Sequence, residues 1–140
     1  MNASEPQNTS SGDPPRILMA EDNQINQRVG KLILQRAGFN IDLVGDGYEA
    51  LEAHKAKPYD LILMDCQMPT MDGFEASRQI RSLDQHQPVI IAVTANALVG
   101  ERERCLSAGM DDYLSKPFQA EQLVAVVKKW VMSRRKLSGS

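Results

Sequence analysis

Several polar residues stand directly after short apolar runs in this chain. The run 17–20 is followed by Glu21 and Asp22, and the run 61–64 by Asp65. The run 89–93 is followed by Thr94, and a weaker run, 112–114, by Lys116 and Pro117 shortly after. A charge at the end of an apolar run is costly to bury without a partner or a task. Three carboxylates brought together repel and raise one another's pKa values, an arrangement that becomes sensible around a hard divalent cation such as Mg²⁺. Helix capping accounts easily for one such acid and poorly for three together. A hydroxyl (Thr94) and an ammonium (Lys116) at the same place complete the parts that phosphoryl transfer needs: charge neutralisation, positioning and an acceptor oxygen. A carboxylate can itself be the acceptor, giving an aspartyl-phosphate. Asp65, on the central run, is the best-placed nucleophile.

These residues meet only if the elements before them form one sheet. The runs 17–20, 41–44, 61–64 and 89–93 are of strand length, and most are continuously apolar, the pattern of strands covered on both faces. Helical patterns separate them. Ile25, Val29, Leu32 and Ile33 recur at helical spacing, with Gly38 as a stop. Tyr48, Leu51 and Glu52 open a second helix ended by Pro58. Phe74, Ala76 and Ile80 mark a third, and 98–108 a charged fourth. Leu123, Val124, Val126, Val127, Trp130 and Val131 form an apolar stripe on a fifth, read as core. Five βα units of this size predict a single doubly wound α/β domain with a parallel sheet of flavodoxin-like order 2-1-3-4-5. In that order strands 1 and 3 flank the switch point, where open sheets bind ligands. Glu21, Asp22 and Asp65 would converge there across about 5 Å of strand spacing.

Composition sets the outer bounds. The chain has 140 residues, 42% hydrophobic and 24% charged, with a net charge of −2, which implies no general attraction to nucleic acid or anionic membrane. No apolar stretch approaches a membrane span, and the polar residues 1–15 lack the apolar region of a secretory signal. The expected division is a disordered leader or linker over 1–15, a folded domain over 16–133 and a disordered tail over 134–140. Cys66 and Cys105 are not at metal spacing and read as reduced thiols of a cytoplasmic protein. His54 and His86 fall in or near polar segments and read as solvated surface.

The stretches ILMAEDNQINQ, LILMDCQMPTMDGFE, VIIAVTANA and DDYLSKPF, in this order and at these separations, resemble the receiver domain of two-component response regulators over roughly residues 16–130. The resemblance implies that Asp65 accepts a phosphoryl group from phosphohistidine, and that the domain catalyses its own phosphorylation and dephosphorylation. It implies Mg²⁺ as cofactor, bound directly by Asp22 and Asp65, through water by Glu21, and by the backbone carbonyl of Gln67. Lys116 would pair with a phosphoryl oxygen. Thr94, Tyr113 and Pro117 would form the switch: Thr94 turning toward the phosphoryl group, Tyr113 swinging inward, and Pro117 following a cis peptide bond. Asp72 and Gly73 fit the turn that opens the third helix. Gln67 and Asn96, two residues beyond Asp65 and Thr94, would tune water access and so phosphoryl lifetime.

The wording AEDNQINQ is similar to receivers fused to hybrid sensor histidine kinases; stand-alone regulators more often carry two aspartates where Glu21 and Asp22 stand. A stand-alone single-domain regulator is the alternative. After Lys116 only 24 residues remain, room for one helix and a tail but for no DNA-binding output domain. The implied partners are a sensor histidine kinase, a histidine phosphotransfer domain or both, with no nucleic acid and no membrane insertion, in a monomer or a phosphorylation-dependent dimer. A phosphatase of the haloacid dehalogenase type would want an aspartate where Gln67 stands, and a flavodoxin would want a phosphate-cradling loop where Glu21 and Asp22 stand. A binding-only module of the same fold remains the third rival.

Overall fold

The computed structural model describes residues 14–95 and 99–139. Five strands alternate with five helices: β1 (Ile17–Ala20), α1 (Gln24–Arg36), β2 (Ile41–Val44), α2 (Gly47–Ala56), β3 (Leu61–Asp65), α3 (Gly73–Arg81), β4 (Val89–Thr94), α4 (Val99–Ser107), β5 (Asp112–Ser115) and α5 (Ala120–Gly139). The strands form one parallel sheet in the order β2-β1-β3-β4-β5, as the alternation of runs predicts. Asp65 and Thr94 are themselves the last residues of β3 and β4 rather than the first residues beyond them.

Side chains alternate across a strand, and here the alternation divides two cores. Leu18, Ala20, Ile62, Met64, Ile90 and Ala92 point to the face that carries Ala50 and Leu51 of α2, Phe74 and Ile80 of α3, and Cys105 of α4. Ile17, Met19, Leu61, Leu63, Ile91 and Val93 point to the face covered by Leu34 of α1 and by Leu123, Val127 and Val131 of α5. The central strands β1, β3 and β4 are buried on both sides, which is why they read as unbroken apolar runs. The α5 stripe is core as expected. The Trp130 indole N–H donates to Asp112 Oδ2 at 2.7 Å, tying α5 to the start of β5.

Of four expectations, three need correction and one falls outside the described residues. First, the apolar spacing on α1 marks its core face only in part: Ile25, Val29 and Leu32 are 72%, 47% and 49% exposed, whereas Ile33 packs partly buried against the core and Gly30 and Leu34 are buried. Gly30 is the close-approach point, because a Cβ there would stand 2.7 Å from Met19 Sδ. Second, α5 continues to Gly139, where a disordered tail was expected from residue 134; nothing between Ser133 and Leu137 is a strong helix breaker. Third, the leader expected over 1–15 lies outside the described residues except for Pro14 and Pro15, which are in no helix or strand.

The fourth concerns His54. His86 is exposed, but His54 is fully buried. Its Nδ1 accepts from Tyr59 N–H at 3.0 Å, and its Nε2 lies 3.0 Å from the His86 carbonyl oxygen. Those two bonds fix a neutral ring with the proton on Nε2. Tyr59 O–H donates to Asp42 at 2.6 Å, and burial followed by that carboxylate pushes the phenol up to about 12. Burial lowers the His54 pKa from 6.5. A second proton would displace the Tyr59 N–H, so the unfolded chain takes it up first. The contribution of His54 to stability is therefore intact above pH 6.5 and is lost as pH falls below it. Unfolding free energies measured in urea from pH 7.5 to 5.5 should fall with pH, and the slope should flatten in His54→Gln; equal slopes in both proteins would assign the loss to other groups.

Candidate functional site: an acid cluster bridged by a lysine

The site follows from the register. Ala20 pairs with Met64 and Met64 with Ala92, so Glu21, Asp65 and Val93 occupy the next row at the carboxyl edge. Thr94 lies one row further, opposite Ser115, and Lys116 follows Ser115. The Lys116 backbone N–H donates to the Thr94 carbonyl at 2.7 Å, which continues the β4–β5 ladder past the strand end. The Lys116–Pro117 peptide is cis, as the resemblance implies.

Glu21 and Asp65 are each 5% exposed, and Asp22 is exposed. One carboxylate oxygen from each lies within 4.8 Å of the other two. The α1 N-cap is Asn23, whose side chain accepts from Asn26 N–H at 3.0 Å, and the caps of α2 and α3 are Asp46 and Asp72. Helix capping therefore uses other residues and leaves the three acids of the cluster to one another. Glu21 Oε2 does accept from Asn23 N–H at 3.1 Å, and Asp65 Oδ1 accepts from Gln67 N–H at 3.1 Å, closing short turns that hold both carboxylates at the edge.

The Lys116 ammonium bridges the pair. Nζ lies 2.9 Å from Asp65 Oδ2 and 3.1 Å from Glu21 Oε1. Burial alone would lower the pKa of this lysine, but the two carboxylates more than offset it and hold the ammonium above its ordinary value. Three oxygen donors and no nitrogen or sulfur donor form the cluster, a set suited to a hard cation such as Mg²⁺.

The surroundings are shaped by close packing. Gly73 opens α3 directly against Asp65: its N–H donates to the Cys66 carbonyl at 3.1 Å, and a Cβ on it would collide with the Asp65 carbonyl oxygen and stand 2.9 Å from Met64 Cγ. Between them, Thr70 has φ 69°, strained for a β-branched residue, at the centre of a tight turn closed by Met71 N–H to Pro69 O at 2.7 Å. Cys66 and Cys105 are buried, and burial first, then the facing groups, pushes the Cys66 thiol up; burial does the same to Cys105. Such thiols are poor nucleophiles.

The remaining predicted residues divide. Thr94 is buried and shares strand parity with Ile90 and Ala92, so it faces α4; its Oγ1 donates to Glu101 Oε2 at 3.1 Å. Tyr113 is half-buried against the same core, with the Arg102 guanidinium 5.2 Å above its ring. The Gln67 side chain is exposed. Asn96 lies outside the described residues. Glu101 and Arg102 escaped the sequence reading because α4 has a weak apolar pattern; only their place seven and eight residues after Thr94 could have pointed to them. Beside the cluster, a cavity of about 400 Å³ is lined by Glu21, Asn26, Val29, Lys116, Pro117 and Phe118, among others.

Residues 17–128 match the family model described as the response regulator receiver domain. The chain belongs to this family. The receiver is 41% identical over 131 residues to the sensor histidine kinase GacS of Pseudomonas protegens, an alignment covering 91% of the chain and 14% of that kinase. It therefore spans about a seventh of this curated relative. Among solved structures it is similar to the receiver domain of sensor histidine kinase PA1611 of Pseudomonas aeruginosa PAO1, determined with a magnesium ion coordinated in the active site cleft: 44% identity, TM-score 0.78, covering 85% of this chain and 98% of that one. It is also similar to the receiver domain of Saccharomyces cerevisiae Ssk1, solved with the histidine phosphotransfer protein Ypd1, at 29% identity and TM-score 0.81, covering 87% and 92% of the chains.

Removing the bridging cation should leave two nearly buried carboxylates facing each other. Lys116→Ala is expected to lower stability in metal-free buffer by on the order of 2 kcal/mol, part of the larger cost of breaking a fully buried pair. Urea unfolding in the presence of a chelator measures this, and an unchanged midpoint would mean that the bridge contributes nothing.

Proposed function

We propose that this receiver takes a phosphoryl group from a phosphohistidine onto Asp65, with Mg²⁺ as cofactor, within a phosphorelay of the kind served by hybrid sensor histidine kinases. The observation that carries the reading is the three-acid cluster with the Lys116 ammonium set between Glu21 and Asp65. Asp22, Asp65, Glu21 and the Gln67 carbonyl would hold the metal, whose role is to offset negative charge on the phosphoryl oxygens. An Asp65 carboxylate oxygen attacks phosphorus in line; the new O–P bond forms as the P–N bond to the imidazole breaks, and the imidazole leaves with the bond pair. Lys116 moves from bridging two carboxylates to pairing with a phosphoryl oxygen. Thr94 then donates to another phosphoryl oxygen, and Tyr113 follows inward. A cytoplasmic place of action belongs to the same reading. Among the described residues no helix is long and apolar enough to cross a membrane.

The donor needs a surface beside the acids. The exposed Ile25, Val29 and Leu32 of α1 form an apolar face, and Val29 is continuous with the cavity that ends at Glu21 and Lys116. An amphipathic helix carrying the phosphohistidine would bury that face while bringing its imidazole to Asp65.

Two experiments test the reading. With Mg²⁺ and acetyl phosphate, intact-mass measurement should find one phosphoryl adduct on the parent chain and none on Asp65→Asn; no adduct on the parent, or equal labelling of both, would defeat it. With a histidine phosphotransfer protein as donor, Ile25→Glu together with Val29→Glu should slow labelling at least about fivefold relative to labelling by acetyl phosphate, since an apolar contact is replaced by two charges. An unchanged ratio would place the donor elsewhere.

A further inference from the structure

We propose that Glu101 and Arg102, consecutive residues on α4, form a clasp that holds Thr94 and Tyr113 on the α4 side of the sheet. Glu101 in particular is a positioning residue that sets how readily the switch is thrown. The inference rests on the receiver reading above and adds a residue to it.

A threonine hydroxyl has a single hydrogen to donate. That of Thr94 is directed to Glu101 Oε2 at 3.1 Å, inside a site where Thr94 is 3% exposed. It cannot at the same time donate to a phosphoryl oxygen on Asp65. Glu101 lies in the first turn of α4, near the positive end of the helix dipole. Glu101 is half-buried, and the bond from Thr94 places its carboxylate on the side of α4 that faces the strand end. A charged acceptor makes a hydrogen bond roughly twice as strong as a neutral one, so Glu101 competes directly with the incoming phosphoryl group for one donor. Arg102 holds the second member of the pair by lying over the Tyr113 ring at 5.2 Å. Because the two residues are adjacent on one helix, a single displacement of α4 frees both the hydroxyl and the ring.

The competition predicts a gain when the competitor is removed. Titration calorimetry with Mg²⁺ and beryllofluoride, a phosphoryl stand-in, should give about tenfold tighter binding for Glu101→Ala than for the parent, tenfold being 1.4 kcal/mol. Glu101→Gln, which keeps an acceptor oxygen without the charge, should fall between and also serves if the alanine variant folds poorly. In a Thr94→Val background the Glu101→Ala gain should shrink below about twofold, an outcome that a merely structural role would not produce. In metal-free protein, methyl NMR of Thr94 should show a changed side-chain rotamer in Glu101→Ala. Unchanged or weaker binding by Glu101→Ala and Glu101→Gln overturns the proposal, as does an equal gain in both backgrounds. If the parent itself takes up no beryllofluoride, the receiver reading has failed and the clasp with it; uptake by the parent without the Glu101 effect defeats the clasp alone.

Discussion

Two carboxylates withdrawn from water side by side are unfavourable unless a cation stands between them, and the Lys116 ammonium between Glu21 and Asp65 meets that condition. Much of the rest of the molecule serves this contact. Its members lie just after β1, at the end of β3 and just after β5, separated by 44 to 95 residues along the chain, so only the assembled sheet brings them together. The contact also explains why a carboxylate can end the apolar runs of β1 and β3. The strands deliver their last residues to one edge, and the charge balance there is local to the site rather than spread over the surface.

The sheet achieves this through parallel register. Because β1, β3 and β4 run in step, the first polar residue after each buried run arrives in nearly the same row. The alternation of side chains then assigns directions. Thr94 has the parity of the α2–α4 core, so its hydroxyl is delivered to α4 and Glu101. Gly73 sets the third boundary: without a side chain, the start of α3 rests on the Asp65 backbone and fixes the depth at which the carboxylate sits.

The parts of this arrangement that depend on periodicity and order were legible in the sequence. Continuous apolar runs specified buried parallel strands, and the residues following them specified the acids, Thr94 and Lys116. What escaped was whatever depends on the packing of one element against another. Ile25, Val29 and Leu32 have ideal helical spacing but face outward, because α1 approaches the sheet through Gly30, a residue with no hydropathy signal. His54 looked solvated because its neighbours in sequence are polar; its partners, Tyr59 and the His86 carbonyl, come from loops that a linear reading does not bring together. Glu101 and Arg102 look like ordinary surface charges until Thr94 and Tyr113 are seen beneath them.

The chain contains one tryptophan, and its indole is hydrogen-bonded to Asp112, the residue before Tyr113. Indole emission responds to the polarity and charge close to the ring, so this single fluorophore is an intrinsic optical probe of the edge where β5 meets α5. A displacement of Tyr113 that disturbs Asp112 would reach the indole through one intervening side chain. Any rearrangement at this edge that shifts Asp112 could be followed in real time without attaching a label.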